Sequence, residues 1–353
     1  MLYNTPPEEL GTLLGDQPRY RADQIHRWLY EDFVLSTEAM TNLPGDLRSE
    51  LADKLWPFDV EITQDGDAGR TRKWLFRTPD HASIESVLMG YDDRTTLCIS
   101  SQAGCAMGCT FCATGQFGFE RHLTAGEIVA QVAYANAHVR ANPLPGSPAR
   151  VTNVVFMGMG EPLANYPRVL ESLRRMVDIM DMAARSVTVS TVGAVPGMRR
   201  LAATPWQVGL AVSLHAADDE LRSKLVPLNN RYPLAEVMDA CREYFDRKGR
   251  RVTIEWALMS GTNDSVEQAR KLAAIASNLR AHVNVINLNP TPLTIEQPAD
   301  RETLNTFMET LRDEGANATL RATRGQDIDG ACGQLRTRAE EVPIRLRPGP
   351  GST

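Results

Sequence analysis

Three of the chain's six cysteines fall in one short run, Gly104-Cys105-Ala106-Met107-Gly108-Cys109-Thr110-Phe111-Cys112-Ala113-Thr114-Gly115. Thiolates are soft ligands, and this spacing offers three of them to one metal group. A tetrahedral zinc site takes four ligands, usually as two separated C-x-x-C pairs, and only Cys109 and Cys112 form such a pair. Cuboidal iron-sulfur clusters are also held by thiolates, so three cysteines leave one iron without a protein ligand, and chemistry can occur at that iron. A zinc loop completed by His122 or Cys98 is the competing reading.

The other three cysteines differ in setting. Cys241 stands at helical spacing with Val237, Tyr244 and Phe245, which reads as a small core hydrophobe. Cys332 lies in Gly325-Gln326-Asp327-Ile328-Asp329-Gly330-Ala331-Cys332-Gly333-Gln334-Leu335, a loop of small residues. A thiol at a loop-to-helix junction is expected to have a lowered pKa and to act as a nucleophile. Cys98 sits on the strand that feeds the three-cysteine loop. It is either a core residue or, if it points inward, placed to meet Cys332.

The elements that position these residues alternate in kind. Lys73–Arg77 and Ser83–Met89 read as a hairpin across the Pro79-Asp80 turn. Strands are then expected at 95–100, 151–157, 186–191, 208–214, 252–258, 283–288 and 318–322. Helices lie between them, the first opening at Thr124 with Glu127 completing a capping box. Repeated βα units imply parallel strands with right-handed crossovers, closed or nearly closed. Ligands in such folds gather at the carboxyl ends of strands. Those ends carry Gly158-Met159-Gly160-Glu161-Pro162, Ser190-Thr191, Ser213-Leu214-His215 and Asn289. Taken singly, each reads equally well as a tight turn or a strand-end cap.

Upstream, Ile25, Trp28 and Leu29 form one helical stripe, and Leu43, Leu47, Leu51 and Leu55 form another. The expected organisation is a helical accessory domain at 1–65, a β-hairpin lead-in at 66–94, the α/β core at 95–341 and a flexible tail at 342–353. With 38 basic and 44 acidic residues the net charge is −6, so any phosphate binding falls to local patches. Candidate patches are Arg70, Arg72, Lys73 and Arg77; Arg199 and Arg200; Arg247, Lys248, Arg250 and Arg251; and Arg336, Arg338, Arg345 and Arg347. No apolar run nears the ~18 residues of a membrane span. The amino terminus does not read as a secretory signal, and cysteine usage fits a reducing compartment, so a cytoplasmic location is expected.

The spacing C-x-x-x-C-x-x-C with an aromatic before the last cysteine resembles the radical S-adenosylmethionine (SAM) superfamily signature. More closely, Cys98, FCATG at 111–115, GMGEPL at 158–163, STVG at 190–193, SLHA at 213–216 and DIDGACGQL at 327–335 together look like the RlmN/Cfr family of radical SAM RNA methyltransferases. The match runs from about Tyr20 to Leu335. The resemblance implies a partial (β/α)6 barrel holding a 4Fe-4S cluster on Cys105, Cys109 and Cys112. It also implies SAM bound by Gly160, Glu161, Ser190, Ser213, Leu214, His215 and Asn289. Pro162 and the run 92–98 look like the RlmN branch, which methylates carbon 2 of adenine in 23S ribosomal RNA and in certain transfer RNAs. The Cfr branch methylates carbon 8. Gly330 stands where the family commonly has alanine, a departure expected to be harmless.

What the family implies for mechanism gives the outlying thiols roles. Cys332 takes a methyl group from one SAM. A second SAM, bound at the open iron, is cleaved to a 5′-deoxyadenosyl radical that removes hydrogen from the S-methyl group, and the methylene radical adds to the base. Cys98 then forms a disulfide with Cys332 and releases product, with Glu85 as proton acceptor. Two SAM molecules per turnover, an electron donor such as flavodoxin or ferredoxin, and a monomer complete the expectation. A peptide-modifying radical SAM enzyme would share the cluster and need no Cys98/Cys332 pair.

Overall fold

The computed structural model describes residues 1–291 and 294–335. The expected tail at 342–353 and the basic cluster Arg336 to Arg347 lie outside the described residues. Among those described, no helix is long and apolar enough to cross a membrane.

After a short helix at Leu10–Leu13, helices run over Tyr20–Arg27 and Gly45–Ala52, and the predicted stripes face inward. Ile25, Leu29, Leu43, Leu47, Leu51 and Leu55 are all buried, with Trp28 half-buried against them. The region expected to be helical ends instead in a strand, β1 (Asp59–Gly66), antiparallel to β2 (Thr71–Arg77). As an edge strand with mostly exposed side chains, β1 lacks the apolar signal of a buried one. Its carboxylates absorb the basic cluster at 70–77. Asp65 meets Arg72 at 2.5 Å, Glu61 meets Arg77 at 2.9 Å, and Arg70 pairs with Asp92 from outside the strand. The lead-in hairpin continues from β2 to β3 (Ser83–Gly90).

Beyond the hairpin, the main sheet takes in β4 (Thr95–Cys98), β7 (Asn153–Phe156), β8 (Val187–Thr191), β9 (Gly209–Ser213), β10 (Thr253–Leu258), β11 (His282–Asn287) and β12 (Asn317–Leu320). The order β1-β2-β3-β4-β7-β8-β9-β10-β11-β12 follows the chain, and every pairing from β4 onward is parallel. Each step passes through helix, at Ala125–Ala141, Tyr166–Arg174, Val195–Ala202, Leu234–Lys248, Val266–Leu279 and Arg301–Asp313. Among the described residues β12 pairs only with β11, so the sheet is an open, partial barrel rather than a closed one. The capping box forms as predicted: Thr124 Oγ1 accepts from the Glu127 N–H at 3.0 Å, and Glu127 Oε2 accepts from the Thr124 N–H at 2.8 Å.

Strand alternation divides labour across the sheet. Leu97, Ile99, Val154, Val189, Val212, Ile254, Trp256 and Val285 belong to the core under the helices. The intervening positions, Cys98, Ser190, Ser213, Glu255 and Ile286, face the concave side and line its cavities.

A ribbon that sequence patterning missed, β5 (Gln102–Gly104) with β6 (Phe119–His122), flanks the cysteine loop. Gly104 has φ +69°, and a Cβ there would meet the Gly118 carbonyl oxygen at 2.1 Å, so only glycine lets the ribbon close at Cys105.

Candidate active site

Cys105, Cys109 and Cys112 line one cavity of about 150 Å³ on the concave side of the sheet. The loop is fastened at several points: Cys105 N–H donates to the Gly118 carbonyl at 2.7 Å, Thr110 N–H to Leu225 at 3.2 Å and Ala113 N–H to Gly333 at 2.8 Å. Burial pushes the Cys105 thiol up to about 12 and the Cys109 thiol well above its ordinary value, and neighbouring thiols in the trio reinforce both shifts. A cationic metal group is what would bring such thiols into the thiolate form. Among the described residues no three His, Cys, Asp or Glu side chains converge tightly enough for a single ion. The suggested zinc partners are elsewhere: Cys98 lines a different cavity, and His122 Nδ1 is 2.9 Å from Gln102 Nε2. Cys105, Cys109 and Cys112 come from one loop, whereas the cavity's fourth thiol, Cys332, comes from a separate loop; the three loop thiols fit a cluster with an open iron.

The SAM-type strand ends converge on the same cavity. Gly160, Glu161, Ser190, Ser213, His215 and Asn289 all line it. Gly160 has φ +101°, and a Cβ there would meet Gln102 Cβ at 2.5 Å, so the turn requires glycine. The adjacent Glu161 carboxylate is buried and accepts from the Leu163 N–H at 3.0 Å and the Val192 N–H at 2.9 Å. Burial outweighs those donors and raises its pKa to about 7. Ser190 Oγ and Ser213 Oγ lie 3.5 Å apart, in reach of one ligand group.

His215 takes a left-handed backbone at φ +61° and packs edge-on against Phe111 at 4.5 Å. Its Nδ1 accepts from the Ala257 N–H at 2.9 Å, so Nε2 carries the proton. Burial, aided by the Arg222 charge, lowers its pKa to about 3, so it offers a neutral N–H donor. Leu214 is placed differently from expectation. Its side chain is buried in the core and lines neither cavity, while its backbone N–H donates to Glu255 O at 3.0 Å. Asn289 is engaged with the Cys332 loop: its Nδ2 donates to Cys332 O at 3.0 Å, and its Oδ1 accepts from Gln326 Nε2 at 2.7 Å.

Cys332 borders this cavity and a smaller one of about 30 Å³, which Cys98 also lines. The second cavity carries Tyr91, Arg321 and Arg324. Arg94 and Arg324 both lie over the Tyr91 ring, at 4.1 and 5.3 Å from its centre. Cys332 is exposed as a residue, and no helix follows it among the described residues. The helix expected to follow it lies outside the described residues. Desolvation pushes its pKa up, opposed by Arg321, and burial pushes the Cys98 thiol up to about 12 with the same guanidinium opposing. A methyl at Gly330 would meet its neighbours at 3.4 Å or more, so the position has room for alanine as well as glycine.

Glu85 lies on β3, buried, 3.3 Å from Lys73 Nζ, and lines neither cavity. It shares a strand face with Val87, which is paired with Cys98. Cys241 is buried under helices, as its spacing predicted. Sequence reasoning missed Glu255, which lines the large cavity beside Cys332 and whose pKa is raised by desolvation. The available signal was a carboxylate inside the apolar run Ile254–Leu258.

The comparisons with known proteins converge. Residues 99–273 match the family model described as the radical SAM superfamily, and residues 8–56 match the ribosomal RNA large subunit methyltransferase N-terminal domain. A probable dual-specificity RNA methyltransferase RlmN from Parafrankia sp. is 48% identical, covering 98% of this chain and 94% of the relative. A protein of the same description from Chloroflexus aurantiacus is 47% identical, covering 97% and 94%. The crystal structure of a radical SAM methyltransferase from Sphaerobacter thermophilus superposes with a TM-score of 0.89 at 48% identity, covering 95% of this chain and 98% of that one. Superfamily membership implies a 4Fe-4S cluster and SAM, and the RNA methyltransferase relatives imply an RNA substrate. The chain belongs to the radical SAM superfamily and, within it, to the RlmN family of dual-specificity RNA methyltransferases.

Proposed function

We propose that the chain methylates carbon 2 of adenine in 23S ribosomal RNA and in tRNA, 3′ of the anticodon, using two SAM molecules per turnover and a relay between Cys332 and Cys98. The observation that carries this reading is that Cys332 borders both cavities, one with the three cluster thiols and one with Cys98.

Carbon 2 lies between two ring nitrogens and is too electron-poor to attack a sulfonium methyl. The Cys332 sulfur can: once deprotonated it attacks the SAM methyl carbon, the methyl–sulfonium bond breaks, and S-adenosylhomocysteine leaves. When bound by Cys105, Cys109 and Cys112, the cluster supplies with the second SAM a 5′-deoxyadenosyl radical that takes one hydrogen atom from the S-methyl group. The carbon radical on the Cys332 side chain adds to carbon 2, and loss of the carbon 2 proton restores aromaticity together with one electron, which the oxidised cluster held by Cys105, Cys109 and Cys112 would take back. Glu85, next to Lys73 on the strand beside Cys98, receives that proton in this scheme. The Cys98 thiolate then attacks Cys332 Sγ. The sulfur–methylene bond breaks toward carbon, which is protonated to a methyl group, and a disulfide remains. Arg321 faces both sulfurs and favours the thiolate at each.

Within the large cavity, Glu161 accepts the SAM ammonium, and the Ser190 and Ser213 hydroxyls with the His215 Nε2–H serve its carboxylate and ribose. We place the enzyme in the cytoplasm as a monomer, reduced by a flavodoxin- or ferredoxin-type donor. Mass spectrometry of nucleosides from 23S rRNA and tRNA of cells lacking the gene, with and without its restoration, tests the reading. Loss and recovery of 2-methyladenosine is the expected result. Loss of 8-methyladenosine assigns the Cfr-type regiochemistry instead, and no lost methyladenosine refutes both.

A further inference from the structure

Next to the cysteine loop lies a buried cation that forms no direct ion pair among the described residues. Arg222, in the short helix Asp219–Leu225 after β9, is fully buried. Its guanidinium donates to four acceptors: Leu214 O at 3.1 Å, Asn229 Oδ1 at 2.7 Å, Val192 O at 2.6 Å and Ser213 O at 3.4 Å. All four are uncharged. Among the described residues it forms no ion pair. The nearest linked carboxylate, exposed Asp219, is one hydrogen bond further away through Asn229 Nδ2 at 2.9 Å. A charge removed from water is normally retained only with a partner charge or a metal group.

The geometry supplies the place for one. The helix that carries Arg222 also anchors the cysteine loop, through Thr110 N–H to Leu225 O at 3.2 Å. Cys109 lies close enough to the guanidinium to interact with it electrostatically, as do the exposed Asp219 and the core Cys241. The acceptors Val192 O and Ser213 O sit at the ends of β8 and β9, beside cavity-lining Ser190 and Ser213. Arg222 therefore ties together two strand ends that border the cavity the thiols line. Three thiolates give a 4Fe-4S core a net charge of about −1 when oxidised and about −2 when reduced, and local charge is one of the determinants of such a cluster's potential.

We propose that Arg222 is the built-in counter-charge of the three-cysteine cluster, a positioning residue that favours the reduced cluster while holding the ends of β8 and β9 at the SAM cavity. This inference rests on the cluster assignment. Iron and sulfide in the anaerobically reconstituted full chain test that assignment separately: if the parent protein binds neither, the cluster reading itself fails.

With the cluster present, a redox titration followed by electron paramagnetic resonance, without RNA, tests the role of Arg222. At the parent's midpoint potential, Arg222→Gln is expected to lower the reduced-to-oxidised ratio about tenfold. Arg222→Lys, which keeps the charge, is expected to hold it within about twofold. Asn229→Asp sets a carboxylate against the guanidinium with little change of shape and should lower the ratio in the same direction as Arg222→Gln. It carries the test if Arg222→Gln does not fold. An unchanged ratio in a cluster-loaded Arg222→Gln or Asn229→Asp protein overturns the proposal. So does a fall in Arg222→Lys as large as in Arg222→Gln, because lost hydrogen bonds rather than lost charge would then explain it.

Discussion

The two cavities that meet at Cys332 are built from opposite materials. The larger combines three thiols with the buried carboxylates Glu161 and Glu255 and small hydroxyls. It suits a metal cluster and the cationic sulfonium and ammonium of SAM. The smaller pairs Cys98 with Arg321, Arg324 and the arginine-flanked Tyr91 ring. Under the proposed function, its guanidinium groups and aromatic ring are the contacts it offers to an arriving base and phosphate. Under the proposed function, the arginines of the smaller cavity would face the arriving nucleic acid and the carboxylates of the larger one the cofactor. Only the seam between the cavities needs a side chain that can visit both chemistries, and that side chain is Cys332.

The comparison breaks most severely at the seam. Cys332→Ala is expected to lower methylation by a factor of at least about a thousand while leaving iron and sulfide content at the parent level. Cys109→Ala should lose both. Nucleoside mass spectrometry and metal analysis on the same preparations separate the two, and an iron-free Cys332→Ala protein would merge the cavities into one site.

A smaller effect concerns the acidic side of the large cavity. Burial raises the Glu161 pKa to about 7 from 4.5. The native state therefore holds the proton more tightly than the unfolded chain. The resulting stabilisation is fully present below about pH 4.5 and is lost as pH rises through about 7. In urea unfolding of the metal-free chain, the parent should lose on the order of 2–3 kcal/mol relative to Glu161→Gln across that window. A pH-independent difference would mean that the carboxylate is not the desolvated group described.

The smallest effect is expected at a cysteine outside both cavities. Cys241→Ala, buried under the helices, should cost about 1 kcal/mol of stability and leave methylation unchanged, as equilibrium unfolding and the same RNA assay would record.

How much of this was legible in the sequence follows the same division. The parallel core could be read because its strands are apolar runs, and because signals such as the Thr124/Glu127 capping box mark where helices begin. β1 was not legible: it is an edge strand whose charged residues answer Arg72 and Arg77 across the ribbon, and linear order does not reveal that register. The same ion pairs explain why the basic cluster at 70–77 is not an open phosphate patch. The β5–β6 ribbon was too short to carry a period. At the site, the three-cysteine spacing and the strand-end hydroxyls were legible because local spacing fixes where they emerge. Glu255, Arg321 and Arg222 were not, since an isolated charge in sequence reads as solvated until the fold buries it. Leu214 stood in the right motif but turned its side chain to the core, because alternate residues of a strand end point to opposite faces.

The central claim is that one carbon passes from Cys332 to the base and is released only by Cys98. The most direct measurement is denaturing isolation of Cys98→Ala protein from cells, followed by nuclease and protease digestion and mass spectrometry. The expected product is a peptide containing Cys332 joined through a methylene to an adenine nucleotide, in place of free methylated RNA. RNA methylated at the parent level, with no such adduct, would contradict it.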